Sequence, residues 1–471
     1  MDKQLLDIHE TSMRILEEVG IKLHDPDVVE LLRRRGVRTS GDVVFLGRDQ
    51  VMEAVENAPA RFTLHARNPA YHMEIGGDRT YFGGGYGSPT IVLPDGTRRY
   101  AEFADYRDLL KLVHQSDCFF INGGILAQPF DLPAETCFPL MVYTALHHTD
   151  KCLLGMAGGD RDLRNIMTLV GMAFGGLEVI RETPVLLSLL NTTSPLQIDG
   201  TALATLKVSA EFGQPVIISP GPIAGSTGPI TLAGNIALGN AEALAGIAVF
   251  QMMAPGTPVV YGLQATTADM KTGAVSIGSP GFSLETAFSA RLAKMYGLPC
   301  RGGGASSDAK EVSAQSGYEA SLALFSSCHE KVNLILHSAG ILDAYGAMSY
   351  EQFFVDIEII RMLEYYQRGI QTNEETLAFE VIRDVGPAGQ FLTHSHTLKH
   401  CRTAPWLQGI NVRIAQTGRA AHEALMQNIQ AKKTNLLESY RKPDLDPAIA
   451  ADLRRFMETI GTEAALLDPA A

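Results

Sequence analysis

Arg301 stands between Pro299-Cys300 and the run Gly302-Gly303-Gly304, where a guanidinium projects into space with little steric cover. Such a group either binds a carboxylate bidentately or braces a neighbouring acid in a structural ion pair. His337 closes the most apolar run of the chain, Val332 to Leu336, and Ser338-Ala-Gly follows it. A histidine there is either a core residue with both nitrogens satisfied or a functional group at a strand end, and it is the candidate catalytic residue. Glu242, within Asn240-Ala-Glu-Ala-Leu-Ala-Gly, is one of few acids in an otherwise apolar helix. A buried carboxylate must be paired, so it bonds either the preceding loop or a ligand. Tyr86 in the glycine-rich stretch Gly83-Gly-Gly-Tyr-Gly, Tyr261 after Val259-Val260, and Tyr345 after the His337 segment complete the set. Aromatic faces suit a quaternary ammonium, which cannot donate a hydrogen bond and is held by cation–π contact and shape.

Other chemistries lack their parts. His394-Ser-His396, with His400 and Cys401 nearby, is the densest group of metal-ligand types, but no matching Cys or His pair completes a first shell, so no metal is expected. Gly83 to Gly87 opens no helix and Arg301 to Gly304 lacks the phosphate-cradle spacing, which argues against a nucleotide or flavin. No Gly-x-Ser-x-Gly elbow is present. A barrel lyase or aldolase would need a Schiff-base lysine, for which Lys151 and Lys271 are the nearby candidates. A binding protein without catalysis is the third reading.

These residues need a scaffold that gathers strand ends. Seven short apolar runs, beginning at Cys118, Cys152, Pro184, Pro215, Pro258, Pro299 and Val332, alternate with amphipathic helical stretches, and most end in Gly, Ser or Asn. Continuous apolar strands separated by helices describe a parallel sheet covered on both faces, and spacing of roughly 30 to 40 residues suits βα units. With an eighth, weaker strand near Gly389-Gln-Phe-Leu-Thr-His the pattern closes into a (β/α)8 TIM barrel, whose function belongs to the C-terminal strand ends. A doubly wound open sheet is the alternative. Residues 1–100 read as a helical and β-hairpin cap, 101–400 as the barrel, and 401–471 as a helical extension that favours a homo-oligomer.

Composition narrows the partners. A chain of 471 residues with 46% hydrophobic and 19% charged residues is globular, and a net charge of -13 without a Lys/Arg cluster disfavours nucleic acid or an anionic membrane. The N-terminus lacks the basic start and apolar core of a signal peptide, and no uninterrupted stretch of 18 apolar residues is expected to span a bilayer. Six scattered cysteines without a Cys-x-x-Cys pair suit a reducing compartment, so a cytoplasmic location is expected.

Gly221-Pro-Ile-Ala-Gly-Ser-Thr-Gly-Pro-Ile-Thr-Leu-Ala-Gly, Asn240-Ala-Glu-Ala-Leu-Ala-Gly, Pro255-Gly-Thr-Pro-Val-Val-Tyr-Gly, Asp269-Met-Lys-Thr-Gly and His337-Ser-Ala-Gly occur in the order characteristic of one family. With them, nearly the whole chain resembles the trimethylamine methyltransferase family. The resemblance implies a (β/α)8 barrel that passes a methyl group to the Co(I) of a separate corrinoid protein, with no cofactor bound by this chain. Archaeal members that act on trimethylamine carry pyrrolysine, which is absent here. The chain therefore resembles the non-pyrrolysine branch, which implies a quaternary amine such as glycine betaine, proline betaine or carnitine. On that resemblance Tyr86, Tyr261 and Tyr345 surround the trimethylammonium head while Arg301 and His337 hold a carboxylate.

Overall fold

The computed structural model describes residues 2–122, 124–407, 409–413 and 419–468. Eight parallel strands form the barrel: β1 (Tyr81–Gly83), β2 (Phe119–Ile121), β3 (Leu153–Leu154), β4 (Leu186–Leu190), β5 (Val216–Ile218), β6 (Val259–Tyr261), β7 (Arg301–Gly303) and β8 (Leu334–Leu336). Neighbours in the chain are neighbours in space, and β8 pairs with β1. Two single parallel bridges, Ile121 to Cys152 and Tyr261 to Cys300, complete the circuit. A closed circuit leaves no open edge, which excludes the doubly wound sheet.

The eighth strand is a correction. The segment near Gly389 forms no strand; Tyr81–Gly83, read from sequence as part of the hairpin cap, is the first barrel strand. Glycine lets the strands pack closely there: a Cβ on Gly83 would lie 2.7 Å from the Leu336 side chain of the neighbouring strand, which would have to shift.

Helices follow the strands in turn: α1 (Phe103–Gln115), α2 (Cys137–His148), α3 (Asp160–Ala173), α4 (Gly200–Glu211), α5 (Leu232–Met253), α6 (Pro280–Met295), α7 (Ala314–His329) and α8 (Tyr350–Arg368). Helix α5 has no polar face and is long and apolar enough by length and composition to cross a bilayer, although Asn235, Asn240, Glu242 and Gln251 interrupt it. Nearly all of it is buried between the barrel and the N-terminal helix Lys3–Arg14, which is what a helix without a polar face requires.

The two ends of the barrel are closed differently. At the N-terminal end the hairpin Arg61–Leu64/Met73–Gly76 inserts Leu64, Met73 and Ile75 among the inward-facing Ile121, Leu187, Ile217, Val260 and Leu334. Asn333 Nδ2 fastens it by donating to the carbonyls of Gly77 (2.9 Å) and Arg79 (3.0 Å). At the C-terminal end, strands Thr90–Val92, Arg98–Tyr100, Ile341–Leu342 and Ala347–Ser349 make one small sheet, and Ile223–Ala224, Thr266–Ala268 and Val275–Ser276 make another. These rim sheets raise walls around the mouth and leave it open.

Candidate functional site

The mouth holds a cavity of about 500 Å³ lined from the ends of β1, β4, β5, β6 and β8, the interior of β7 and the loop after β8. Arg301, His337, Tyr86 and Tyr345 all reach it; Tyr261 and Glu242 do not.

Arg301 opens β7 instead of ending it, so its guanidinium climbs through the barrel interior and is only 2% exposed. Its Nη1 donates to Ser219 Oγ (3.1 Å) and its Nη2 to His337 Nδ1 (3.1 Å), while Nε has no partner. Among the described residues no carboxylate forms an ion pair with it. Burial pulls its pKa down to about 10, so it remains a cation at neutral pH. A buried cation with donors to spare and no counter-ion costs free energy that only an anion at the same place offsets.

Because a guanidinium cannot accept a hydrogen bond, His337 must present a lone pair at Nδ1 and carry its proton on Nε2. The Tyr86 main chain also hydrogen-bonds this ring. Burial, then the adjacent Arg301 charge, hold the imidazole pKa well below its usual value, so the ring is neutral. With Nδ1 engaged by Arg301, His337 supports the guanidinium plane.

Tyr345 packs on His337 with ring centroids 4.6 Å apart, and Tyr86 meets the same ring edge-on at 6.1 Å. Gln264 Nε2 donates to the Tyr345 hydroxyl and fixes that ring. Burial pushes both phenols up, so neither ionises near neutral pH. With Phe282 on the far wall, the rings form an aromatic enclosure beside the cation. Gly303 permits this arrangement: a Cβ there would lie 2.5 Å from the Phe282 ring.

Tyr345 is held in an unusual backbone. Asp343, Ala344 and Tyr345 have φ of 54°, 50° and 73°, a left-handed run that costs on the order of 1 kcal/mol or more per residue. The Asp343 carboxylate offsets it by pairing with Arg98 and Lys310, and the Asp343 and Ala344 amides donate to the carbonyls of Ala309 (2.9 Å) and Ser307 (3.0 Å).

The loop Ser219 to Thr231 is braced from below. Asn235 Nδ2, on α5, donates to the carbonyls of Pro222 (3.1 Å) and Thr266 (3.2 Å) and to Glu285 Oε1 (2.9 Å). Burial pushes the Glu285 carboxyl up to about 7. One amide thus ties the loops after β5 and β6 into a rigid wall.

Tyr261 turns outward. Its hydroxyl donates to Asn240 Oδ1 (2.7 Å), and Asn240 Nδ2 donates to Ser12 Oγ and Tyr296 Oη (both 2.9 Å), a knot joining β6, α5 and the N-terminal helix. Glu242 accepts from Thr192 Oγ1 (2.5 Å), Ser194 Oγ (2.8 Å) and the Leu196 amide (2.8 Å), so it anchors the loop after β4 whose Thr192 lines the cavity. Ser219, Gln264 and Phe282 line the site without having been singled out from sequence. Ser219 was legible as the first residue past an apolar run; Gln264 and Phe282 carried no local signal.

The remaining candidates fall elsewhere. Lys151 lies at the closed end of the barrel, where Nζ donates to the carbonyls of Val113 (2.9 Å) and Ser116 (2.7 Å). Lys271 is exposed on a rim turn, so neither lysine faces the cavity. Among the described residues no group of acids, histidines and cysteines has the arrangement of a metal site.

The family model described as trimethylamine methyltransferase (MTTB) matches residues 1–464. The chain belongs to this trimethylamine methyltransferase family. Within the family it is 42% identical over 463 residues to the glycine betaine methyltransferase of Desulfitobacterium hafniense (strain Y51), covering 98% of this chain and 97% of that protein. It is 30% identical to the proline betaine:corrinoid methyltransferase of Eubacterium limosum, over 96% of this chain and 95% of that one. It is 33% identical to the trimethylamine methyltransferase MttB1 of Methanosarcina mazei, over 84% and 81%. The barrel also resembles the solved structure of the monomethylamine methyltransferase MtmB of Methanosarcina barkeri, with a TM-score of 0.50, 10% identity, and coverage of 92% of this chain and 97% of that one.

Proposed function

We propose that this trimethylamine methyltransferase family member takes a methyl group from a betaine, glycine betaine foremost, and delivers it to the Co(I) of a separate corrinoid protein. The observation that carries the reading is the buried Arg301 guanidinium, without a carboxylate partner, beside an enclosure of Tyr86, Tyr345, His337 and Phe282. A betaine presents the complementary pair: a carboxylate for the cation and a trimethylammonium head for the rings. The substrates in the names of the glycine betaine and proline betaine relatives both carry a carboxylate and a methylated quaternary ammonium.

A quaternary nitrogen is already activated. As the methyl carbon accepts the Co(I) electron pair in line, the C–N bond breaks toward nitrogen and a neutral tertiary amine leaves, so no general acid is required. The protein's contribution is orientation and charge balance. Arg301, supported by Ser219 and His337, binds the carboxylate, and the strapped Tyr345 loop points one methyl out of the mouth. His337 acts through Arg301 as a positioning residue.

An anoxic absorbance assay tests the reading. The protein is mixed with a Co(I) corrinoid protein and, separately, glycine betaine, proline betaine, carnitine or trimethylamine. Formation of methyl-Co(III) with a betaine and not with trimethylamine is expected; reaction with trimethylamine alone overturns the carboxylate assignment.

A further inference from the structure

Arg301 and Gly303 stand two residues apart on β7 and face the barrel interior together, while Gly302 between them faces Thr286 and Val332 behind the sheet. Gly303 pairs with Leu336, the residue before His337, so the guanidinium bonded to His337 lies level with the end of β7. No side chain leaves β7 there. A Cβ on Gly303 would lie 2.5 Å from Phe282 Cζ and 3.2 Å from Gln264 Nε2, the amide that bonds the Tyr345 hydroxyl. The room that β7 leaves beside the guanidinium is thus taken up by the Phe282 ring, with the Gln264–Tyr345 pair next to it.

Phe282 reaches the mouth from the first turn of α6 and is only 1% exposed. Its main chain is pinned: Ser279 Oγ accepts from the Phe282 amide (3.2 Å) and meets Thr267 Oγ1 of the rim strand Thr266–Ala268 at 2.9 Å. With its backbone capped and its ring lying on Gly303, Phe282 is a fixed wall, and close-packed walls yield to added volume only at a cost. An α-betaine held at Arg301 by its carboxylate carries its ammonium one carbon away, which puts the nitrogen substituents against this wall. Glycine betaine brings three methyl groups there. Proline betaine ties one nitrogen substituent back to the α-carbon in a five-membered ring and brings two more carbons to the same place.

We propose that Phe282, seated on Gly303, is a specificity-determining residue: its ring sets the width of the ammonium compartment, admitting the trimethylammonium of glycine betaine and excluding the pyrrolidinium ring of proline betaine. The proposal rests on the betaine reading of the same site. Selection of this kind is steric, so it shows in the ratio of kcat/KM for two substrates and not in the rate for either alone.

That ratio is measured with the full chain and its corrinoid protein, following methyl-Co(III) formation from glycine betaine and from proline betaine. The unaltered protein is expected to favour glycine betaine by about ten-fold or more, the scale on which one or two carbons are discriminated by a pocket. Phe282→Ala is expected to lower the ratio at least about ten-fold, with proline betaine turnover rising in absolute terms. Phe282→Leu, the milder variant, should shift it the same way, and partial unfolding does not imitate the effect, because it scales both substrates alike. Gly303→Ala drives a methyl group into the ring and should raise KM for glycine betaine about ten-fold; combined with Phe282→Ala, which removes the clash, it should add almost nothing. An unaltered protein that prefers proline betaine, a ratio unmoved in both Phe282 variants, or a Gly303→Ala cost that persists in the double variant each overturn the proposal and leave the betaine reading standing. If neither betaine yields methyl-Co(III) with the unaltered protein, the betaine reading falls and takes this assignment with it.

Discussion

The same eight strands end in two opposite environments. At one end Leu64, Met73 and Ile75 fill the barrel as part of an apolar cluster; at the other, among the described residues, a cation is buried without a counter-charge and three successive residues sit in the left-handed region. The closed end gains from packing. The open end stores unfavourable terms, an unpaired guanidinium and a strained Tyr345 loop, held in place by what surrounds them. On the proposed function the contrast puts stability at one end and binding at the other, as barrel architecture allows because strand ends are independent of the core that holds them.

The contrast can be broken most forcefully from below. Met73→Ala should destabilise the protein by about 2–5 kcal/mol, read from the denaturant midpoint, through the cavity left under the barrel. The KM for glycine betaine should stay unchanged; a large KM effect would show that the two ends are coupled. From above, Arg301→Met should raise KM roughly ten- to hundred-fold, corresponding to a charge-assisted bond worth about 1.5–3 kcal/mol. Its melting temperature should hold or rise, since an uncompensated buried charge has been removed. A fall in melting temperature with unaltered KM would make Arg301 a structural brace.

Acid should expose the same asymmetry. His337 is held below its ordinary pKa, so the folded state binds fewer protons there than the unfolded chain. The stability this histidine allows is present above about 6.5, its unfolded value, and is lost progressively as pH falls toward the lowered folded value. His337→Gln is expected to flatten that part of the pH–stability profile and to raise KM more than it lowers kcat, the split expected of a positioning residue. An unchanged profile would show that the ring is not buried neutral. The smallest effect is expected of Tyr345→Phe, which keeps the ring and loses the bond from Gln264: about 1 kcal/mol in stability, with little change in KM. A loss of all binding would mean that the hydroxyl touches substrate.

Seven strands were legible because both faces of a parallel barrel strand are covered, which writes a continuous apolar run. Strand β1 was not, because its Tyr81-Phe82 pair runs straight into Gly83-Gly84-Gly85 beside a rim hairpin and so writes no continuous apolar run. Arg301, His337, Tyr86 and Tyr345 were legible from polar or aromatic residues interrupting apolar runs and glycine loops. Tyr261 shows the limit. Val260 faces the barrel interior and Tyr261 faces the helices, and with a period of two a shift of one residue reverses that choice.

By itself, then, the sequence determined the alternation of strands and helices, the family, and the residue types available for chemistry, since these depend on local pattern and order along the chain. Tertiary structure alone decided which of them meet. Arg301 and His337 are 36 positions apart and Ser219 is 82 from Arg301, yet the three converge within hydrogen-bond reach because barrel closure brings β5, β7 and β8 to one mouth. It also decided that, among the described residues, no acid pairs with Arg301. A cation's partner depends on every strand that faces it, and local sequence records none of those distances.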